Sequence, residues 1–174
     1  MGKYLITGSA GAGKSTVIKE LVGRGYTAYD TDIEPGFSRF EDMDGNVVPK
    51  PTGKIDWDQY AWNWSKDVIL PLLKNPEDMF FGGVVSNQSD FYPYFDKIFV
   101  LTLDDDTLRR RILERTDKDY GKDPEQLEEE VAYRATRESE LLAQPQAVAI
   151  DSTISLSRVV DEILKHISEN TPRE

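Results

Sequence analysis

The chain has 174 residues, of which 39% are hydrophobic and 30% are charged, and this composition suits a single globular domain. Its net charge of −11 would repel phosphate backbones, which argues against non-specific binding of nucleic acid. Cysteine is absent, so the sequence excludes disulfides, thiolate metal sites and a cysteine nucleophile.

Histidine occurs only at position 166, near the C-terminus, so histidine acid–base catalysis is not expected. The first residues lead straight into a strand pattern and a glycine-rich turn rather than a signal peptide. No apolar run approaches the roughly 20 residues of a membrane span. We therefore expect a cytoplasmic protein that does not enter a membrane.

Short apolar runs alternate with helical patterns, which is typical of βαβ units around a parallel sheet. The pattern predicts five strands, at Lys3–Thr7, Tyr26–Asp30, Met79–Val85, Lys97–Leu103 and Ala147–Ile150. It predicts helices at Ser15–Gly23, Asp104–Arg115, Pro124–Leu142 and Ile154–Ser168. The expected fold is a doubly wound α/β domain that spans residues 1–174.

The segment between the second and third strands is harder to assign. Ile33–Ile55 is rich in Gly, Pro and Asp and is predicted to be irregular, as many functional loops are. Asp56 is then expected to cap a helix that Pro71 kinks or ends. The apolar stripe of this helix would consist of Trp57, Tyr60, Ala61, Trp64 and Val68. Trp57 and Trp64 are therefore predicted to be core residues, whereas Trp62 lies off the stripe and would line a pocket or an interface.

Residues Gly8–Ser15 fit the phosphate-binding pattern G-x-x-x-x-G-K-[ST] at every fixed position. An apolar strand precedes the segment and a helix follows it, as a P-loop requires. The glycines aim backbone N–H groups at phosphate oxygens, and the helix adds its positive end. Lys14 would reach the β- and γ-phosphates and the Ser15 hydroxyl would bind Mg²⁺. The predicted nucleotide contacts are Gly8, Ala10, Gly11, Ala12, Gly13, Lys14, Ser15 and the adjoining helix residue Thr16.

This loop does not by itself distinguish kinases from switches or ATPases. A guanine-specific GTPase would carry an N-K-x-D element, which is absent. A P-loop ATPase would carry an acidic residue after an apolar strand, and Asp104 and Asp105 after the fourth strand fit that pattern.

The segment Asp104–Arg115 resembles part of the nucleoside-monophosphate kinases and their shikimate- and gluconate-kinase relatives. In that superfamily an R-[IL]-x-x-R element, matched here by Arg111 and Arg115, opens a lid over ATP. The segment Glu130–Arg134 resembles the second lid helix, whose arginine reaches the transferring phosphate. Residues 150–153 resemble the loop that touches adenine, which implies nucleotide contacts from Ser152 and Thr153. The resemblance covers nearly the whole chain and implies strand order 2-3-1-4-5, a lid near residues 115–137 and an acceptor-side insertion near residues 33–75.

The spacing of the arginines supports the same expectation. Arg111 and Arg115 are four residues apart and share a helix face, as do Arg134 and Arg137 at a spacing of three. Phosphoryl transfer needs cations near the developing charge, and the arginine fork suits phosphate. Two other arginines are instead expected to be solvated, in the i, i+4 pairs Asp105–Arg109 and Asp106–Arg110.

The acceptor side is predicted where the second and third strands end, because ligands bind at the carboxyl edge of open α/β sheets. The D-x-D of Asp30 and Asp32 resembles that of shikimate-type kinases, in which the acids contact the acceptor hydroxyl and the water shell of Mg²⁺. Asp32 is the candidate for orienting the acceptor or taking its proton. The other candidate acceptor contacts are Arg39, Gly83, Asn87 and Gln88. Neither the third glycine of shikimate kinases nor the G-[FY]-P-R element of adenylate kinases is present, so the acceptor stays open.

The sequence therefore predicts an ATP- and Mg²⁺-dependent kinase that acts on a small-molecule hydroxyl or phosphate. Its catalytic residues would be Lys14, Asp32, Arg111, Arg115 and Arg134, with Ser15 and Asp32 on the metal side. The alternatives are an ATPase or nucleotide sensor without an acceptor, a polynucleotide end kinase, which the charge disfavours, and a domain that only binds nucleotide. ATP is not distinguished from other triphosphates, and both a monomer and a homodimer are compatible with the sequence.

Overall fold

The computed structural model describes residues 1–116 and 120–168, which form eight strands, five α-helices and one 3₁₀ helix. The strands are β1 Lys3–Thr7, β2 Ala28–Asp30, β3 Ser38–Asp42, β4 Val47–Val48, β5 Tyr60–Trp64, β6 Met79–Gly82, β7 Lys97–Thr102 and β8 Ala147–Asp151. The helices are α1 Lys14–Gly23, α2 Lys66–Leu73, α3 Asp105–Glu114, α4 Pro124–Leu142 and α5 Leu156–Ser168, with a 3₁₀ helix at Gln88–Tyr94.

Five of the strands form a parallel sheet in the order β2-β6-β1-β7-β8. Counted along the chain within this sheet, the order is 2-3-1-4-5, as predicted. The central position of β1 matters for function, because the segment that follows it emerges in the middle of the sheet's carboxyl edge. Ligands bind at that edge in open α/β sheets.

The sheet is covered on both faces, since alternate residues of a strand point to opposite sides. Tyr4 and Ile6 of β1 belong to a core cluster with α1 and α5, whereas Leu5 belongs to a second cluster with α2 and the 3₁₀ helix. Leu5 and Ile6 are fully buried. The predicted three-layer α/β sandwich is confirmed.

The helix predicted from Asp56 is wrong over its first half. The Asp56 carbonyl accepts the N–H groups of Gln59 and Tyr60 at 3.1 Å in a turn, and residues 60–64 then form β5. The helix α2 begins only at Lys66 and continues through Pro71 to Leu73. The aromatic residues at positions 60, 62 and 64 also have the period of two that favours a strand, and pairing with β3 decides between the two patterns.

The prediction of an irregular segment at Ile33–Ile55 is wrong in part, because this segment contains β3 and β4. Together with β5 they form a three-stranded antiparallel sheet in the order β4-β3-β5. Phe40 of β3 lies opposite Trp62 of β5, with ring centroids 4.7 Å apart. The second sheet thus lies within the predicted acceptor-side insertion.

Part of the predicted lid, residues 117–119, lies outside the described residues. The rest of it includes Arg115, the residue that caps the C-terminus of α3, and most of α4. Among the helices in the described part of the chain, none combines the length and the apolar character of a membrane span.

Candidate functional site

The glycine-rich segment after β1 forms a tight loop that leads into α1. Ala12 N–H donates to the Ser9 carbonyl at 3.1 Å, and Val17 N–H donates to the Gly13 carbonyl at 2.9 Å. Gly8 and Gly13 have φ angles of 143° and 98°, which residues with a side chain rarely adopt. The positive end of α1 therefore lies directly behind a loop that only glycines at these positions can form.

Lys14 is the first residue of α1, and its side chain folds back over the loop. Its Nζ donates to the carbonyl oxygens of Gly8 at 3.0 Å and Ser9 at 2.9 Å. Ser15 is half-buried beside it. An ammonium group, a hydroxyl and a helix N-terminus thus lie at one end of the same cavity, and together they have the chemistry of an anion site.

These groups line a cavity of about 1300 Å³ that extends from the loop to the three-stranded sheet. The predicted site residues that line it are Gly8, Ala10, Gly11, Ala12, Gly13, Lys14, Ser15, Thr16, Asp32, Arg39, Arg111, Arg115, Arg134 and Ser152. The predicted site residues that are not among its lining are Asp30, Gly83, Asn87, Gln88 and Thr153. Single-ligand pockets usually measure about 300–1,000 Å³, so this cavity has room for more than one small molecule.

Arg111 of α3 joins the loop to the segment after β8. Its guanidinium donates to the Ala12 carbonyl at 3.4 Å and to the hydroxyl and carbonyl of Ser152 at 3.2 and 2.5 Å. Burial, together with the charge of Arg110, lowers the pKa of this guanidinium from its ordinary value. The Thr153 hydroxyl instead donates to Asp151 at 2.6 Å. Of the two predicted adenine-side residues, the structure brings only Ser152 to the cavity.

Two further arginines on the cavity wall have unused hydrogen-bonding capacity. Within the described residues, the buried Nε atoms of Arg115 and Arg137 have no hydrogen-bond partner. Arg115 uses another nitrogen to donate to the Tyr120 carbonyl, and the Arg137 guanidinium carbon lies 6.0 Å from the centre of the Tyr133 ring. A buried cationic donor without a partner is costly unless an anion satisfies it.

Arg134, the predicted lid arginine, has different surroundings. Its guanidinium donates to Asp105 at 2.6 Å and to Glu138 at 3.0 Å, so two carboxylates already neutralise it. Arg109 bonds to Glu128 of α4 with two nitrogens instead of pairing with Asp105. Among the arginines of α4, Arg137 is therefore better placed than Arg134 to hold an anion.

The two acids of the D-x-D segment lie in different positions. Asp32 lines the cavity, where its Oδ1 accepts from the indole Nε1 of Trp62 at 3.4 Å and from Val84 N–H at 3.5 Å. Asp30 is buried; its Oδ1 accepts the N–H of Asp32 at 3.2 Å, and its Oδ2 has no partner within the described residues. The geometry brings Asp32, and not Asp30, to the cavity, while Asp30 shapes the turn.

The residues predicted after the third strand of the main sheet support the walls of the site. A side chain at Gly83 would clash with Thr31 and come within 3.2 Å of the Asp32 carboxylate, so this glycine makes room for protein rather than for a ligand. Gln88 is buried and bonds to Thr7 and to the Gly83 carbonyl, both at 3.1 Å.

Asn87 likewise uses its amide within the protein, which gives a stability prediction. It accepts from Trp64 N–H at 2.9 Å and donates to the Trp64 carbonyl at 3.1 Å, in place of a strand partner. Asn87→Ala should lower the free energy of unfolding by about 1–3 kcal/mol, because it leaves both backbone groups unpaired. Urea unfolding would measure this loss. Unchanged stability together with a lost response to acceptor would instead favour the ligand contact expected from the sequence.

At the far end of the cavity is an aromatic wall, of which the sequence predicted only Trp62 as a pocket residue. Phe40, Trp57 and Trp62 line it together with Val48 and Ile55. Trp57, predicted to be core, is 48% exposed, whereas Trp64 is buried as expected. The sequence does show several aromatic residues close together at positions 57–64. They form one wall only because β3 pairs with β5.

A family model described as an AAA domain matches residues 5–133, well over half of the chain. The chain belongs to this AAA domain family. No curated protein matches it in sequence. Solved structures with the same fold include deoxyadenosine kinase from M. mycoides, with products dCMP and dCDP (TM-score 0.58, 16% identity, covering 97% of this chain and 100% of that one). A gluconokinase from Sinorhizobium meliloti has a TM-score of 0.56 at 16% identity and covers 97% of this chain and 92% of that one. The predicted P-loop kinase fold is thus confirmed.

In this AAA domain, the acidic residue after β7 serves as a helix cap. Asp104 accepts from the N–H of Thr107 at 2.7 Å and from its hydroxyl at 2.8 Å. These hydrogen bonds lower the pKa of its carboxyl group. Asp104 is not among the described residues that line the cavity. Its place in the structure therefore gives no support to the metal-binding role that an acid after this strand would have in an ATPase.

The residues of the AAA domain fit a magnesium ion that is held mainly by phosphate oxygens. Ser15 and Asp32 line the same cavity and offer one hydroxyl and one carboxylate. Within the described residues no group of three or more His, Cys, Asp or Glu side chains is arranged so that it could hold a metal ion by itself. Mg²⁺ is commonly held by one or two protein ligands together with substrate phosphates.

Proposed function

We propose that this protein is an ATP- and Mg²⁺-dependent phosphotransferase that moves the γ-phosphoryl group to a small-molecule hydroxyl or phosphate. The observation that carries the proposal is that the buried Nε atoms of Arg115 and Arg137 have no hydrogen-bond partner among the described residues and lie on the wall of the cavity that contains the phosphate loop. Phosphoryl transfer spreads negative charge over the transferring oxygens, and positioned arginines stabilise that charge.

The nucleotide would bind along the loop. The backbone N–H groups of Gly8–Ser15 and the Lys14 ammonium would hold the β- and γ-phosphates. Arg111, which already bonds to Ser152, would close the nucleoside side. The Ser15 hydroxyl would hold Mg²⁺, with Asp32 close to its bound water, and the ion would supply positive charge that offsets the charge of the phosphates.

The size of the cavity favours a kinase over an ATPase or a sensor. A nucleotide at the loop would leave the end formed by Asp32 and the three-stranded sheet available. An ATPase needs only a water molecule at that end, whereas a kinase needs room for a second substrate beside the γ-phosphate. Asp32 is the carboxylate at this end and would orient the acceptor or take its proton.

The arginines provide the test. Arg111→Ala, Arg115→Ala and Arg137→Ala should each lower kcat by about a hundredfold or more, because each removes a cation from the cavity wall. Arg134→Ala should cost less, since two carboxylates already neutralise this side chain. The measurement is transfer of the labelled γ-phosphoryl group from ATP, with and without a pool of small metabolites.

Arg109 and Arg110 are the matched controls. They lie on α3 together with Arg111 but are not among the described residues that line the cavity. Their alanine variants should stay near wild type. Equal losses in all the variants would contradict the assignment. Label that appears only as inorganic phosphate, at a rate that the metabolite pool does not change, would favour the ATPase.

A further inference from the structure

The acceptor end of the cavity has a chemistry that narrows the class of the second substrate. We propose that the acceptor is an alcohol with a flat conjugated ring and no phosphate group, bound with its ring against Trp57 and Trp62 and its hydroxyl at Asp32. This rests on the proposed function, of which it specifies the substrate.

The wall is built to receive a flat apolar body. Trp57 is 48% exposed although it lines the cavity, and its ring stacks on Phe40 at 6.5 Å with an interplanar angle of 25°. Phe40 in turn packs on Trp62 at 4.7 Å. Aromatic faces favour other rings through stacking, beyond the area that they bury.

The wall and the proposed acid are linked directly. The indole N–H of Trp62 donates to Oδ1 of Asp32 at 3.4 Å, so the edge of the ring wall touches the carboxylate. A ring-bearing alcohol that packs on this wall would bring its hydroxyl to Asp32, between the ring and the phosphate loop. The same contact fixes the direction from which the hydroxyl approaches.

A polyol fits this end poorly. Five of the side chains that line this end carry no hydrogen-bonding group: Phe40, Val48, Ile55, Val84 and Val85. Each hydroxyl of a sugar acid buried against them would lose water without gaining a partner, which costs affinity for every group.

A phosphate-bearing acceptor also fits poorly. Arg39 is the arginine at this end, and its Nε lies 2.7 Å from Oε1 of Glu41. The Glu41 side chain is the more buried of the two, so the arginine already has a carboxylate partner that is shielded from water. Asp32, the exposed Lys50 and Glu129, which lines a smaller pocket together with Trp57, leave this end without a net positive charge. Arg115 and Arg137, whose Nε atoms have no partner among the described residues, lie in the part of the wall contributed by α3 and α4.

The reaction balances with the parts at hand. The acceptor oxygen forms a bond to the γ-phosphorus of ATP, and the bond from that phosphorus to the β–γ bridging oxygen breaks. ADP leaves with the electron pair. The hydroxyl proton passes to the Asp32 carboxylate and then to water, so that alcohol and ATP yield phosphate ester, ADP and one proton.

The test compares named acceptors in one assay. Adenosine, thymidine and pyridoxine are ring-bearing alcohols, gluconate is a polyol, and adenosine monophosphate is a ring with a phosphate. We expect at least one ring-bearing alcohol to accept the labelled phosphoryl group and to quench tryptophan fluorescence. Gluconate and adenosine monophosphate should be at least about tenfold poorer by kcat/KM, because gluconate lacks the ring and the phosphate of adenosine monophosphate meets no net positive charge at this end.

Variants then test the wall. Trp57→Leu should raise the KM for the accepted alcohol about tenfold with an unchanged affinity for MgATP, and Trp57→Phe should recover most of the loss. The matched control is Tyr94→Leu, since Tyr94 is 42% exposed and is not among the described lining residues. It should behave as wild type.

Three results would overturn the proposal: preference for gluconate or adenosine monophosphate, no transfer to any ring-bearing alcohol, or an unchanged KM in Trp57→Leu. If transfer to a metabolite pool persists in any of these cases, only the acceptor class is wrong. If MgATP does not bind to the wild type, the proposed function itself fails.

Discussion

Lys14→Ala should lower turnover by on the order of a thousandfold and weaken MgATP binding while the fold persists. In the structure the Lys14 ammonium is held over the loop by two carbonyl oxygens, Gly8 at 3.0 Å and Ser9 at 2.9 Å. A nucleotide would have its β- and γ-phosphates within reach of this group, where the positive charge has no substitute on the loop backbone. Calorimetric titration with MgATP and single-turnover transfer would measure the two effects.

The fold should survive because Lys14 is only half-buried and packs no core. Lys19→Ala is the matched control, since Lys19 lies on the same helix, is exposed, and does not line the cavity. Both variants should unfold at denaturant midpoints close to the wild-type value. Full ATP-dependent activity in Lys14→Ala would refute nucleotide binding at this loop, whereas a lower unfolding midpoint would assign Lys14 a structural role.

The strands of the main sheet were predictable because each is defined by residues that are adjacent in the sequence. Each of its strands is a short apolar run between turn residues, and the order followed from the resemblance to P-loop kinases. The three-stranded sheet was not predictable in this way. The sequence of β3, Ser-Arg-Phe-Glu-Asp, has one apolar residue, Phe40. The strand acquires its conformation by pairing with residues of β5 that are 18 to 26 positions away in the chain. Period alone did not separate strand from helix at residues 60–64.

The same distinction applies to the site. The phosphate loop is contiguous, so the sequence alone predicted it. The functions of the arginines depend on partners that are distant in the chain. Arg134 meets Asp105, 29 residues away, while Arg137 has a buried Nε without a partner in the described part of the structure. The sequence predicted Asn87 as a ligand contact, but in the structure its amide bonds to the backbone of Trp64 in β5. Helix spacing identifies which arginines share a face, but not which of them are already neutralised.

Asp32→Asn should remove transfer to the acceptor while MgATP still binds. In the structure, the indole N–H of Trp62 donates to Asp32 at 3.4 Å. Asparagine has the same size and can still accept this hydrogen bond, but it cannot take a proton. Loss of a general base typically costs about a hundredfold to ten-thousandfold in rate, and we expect kcat to fall within that range. The measurement is labelled transfer to acceptor alongside MgATP affinity.

Asp104→Asn is the matched control, because it distinguishes the kinase from an ATPase that uses the acid after β7. Asparagine caps helices about as well as aspartate, so the hydrogen bond to Thr107 N–H at 2.7 Å can persist and the unfolding midpoint should change little. Transfer should also stay near wild type, since Asp104 is not among the described residues that line the cavity. An ATPase would give the reverse pattern: Asp104→Asn would abolish Mg²⁺-dependent hydrolysis, and Asp32→Asn would leave ADP release unchanged whether or not an acceptor is present. The position of Asp32 at the carboxyl edge of the sheet, in contact with the aromatic wall and in the same cavity as Lys14, is why we expect it to be the sensitive site.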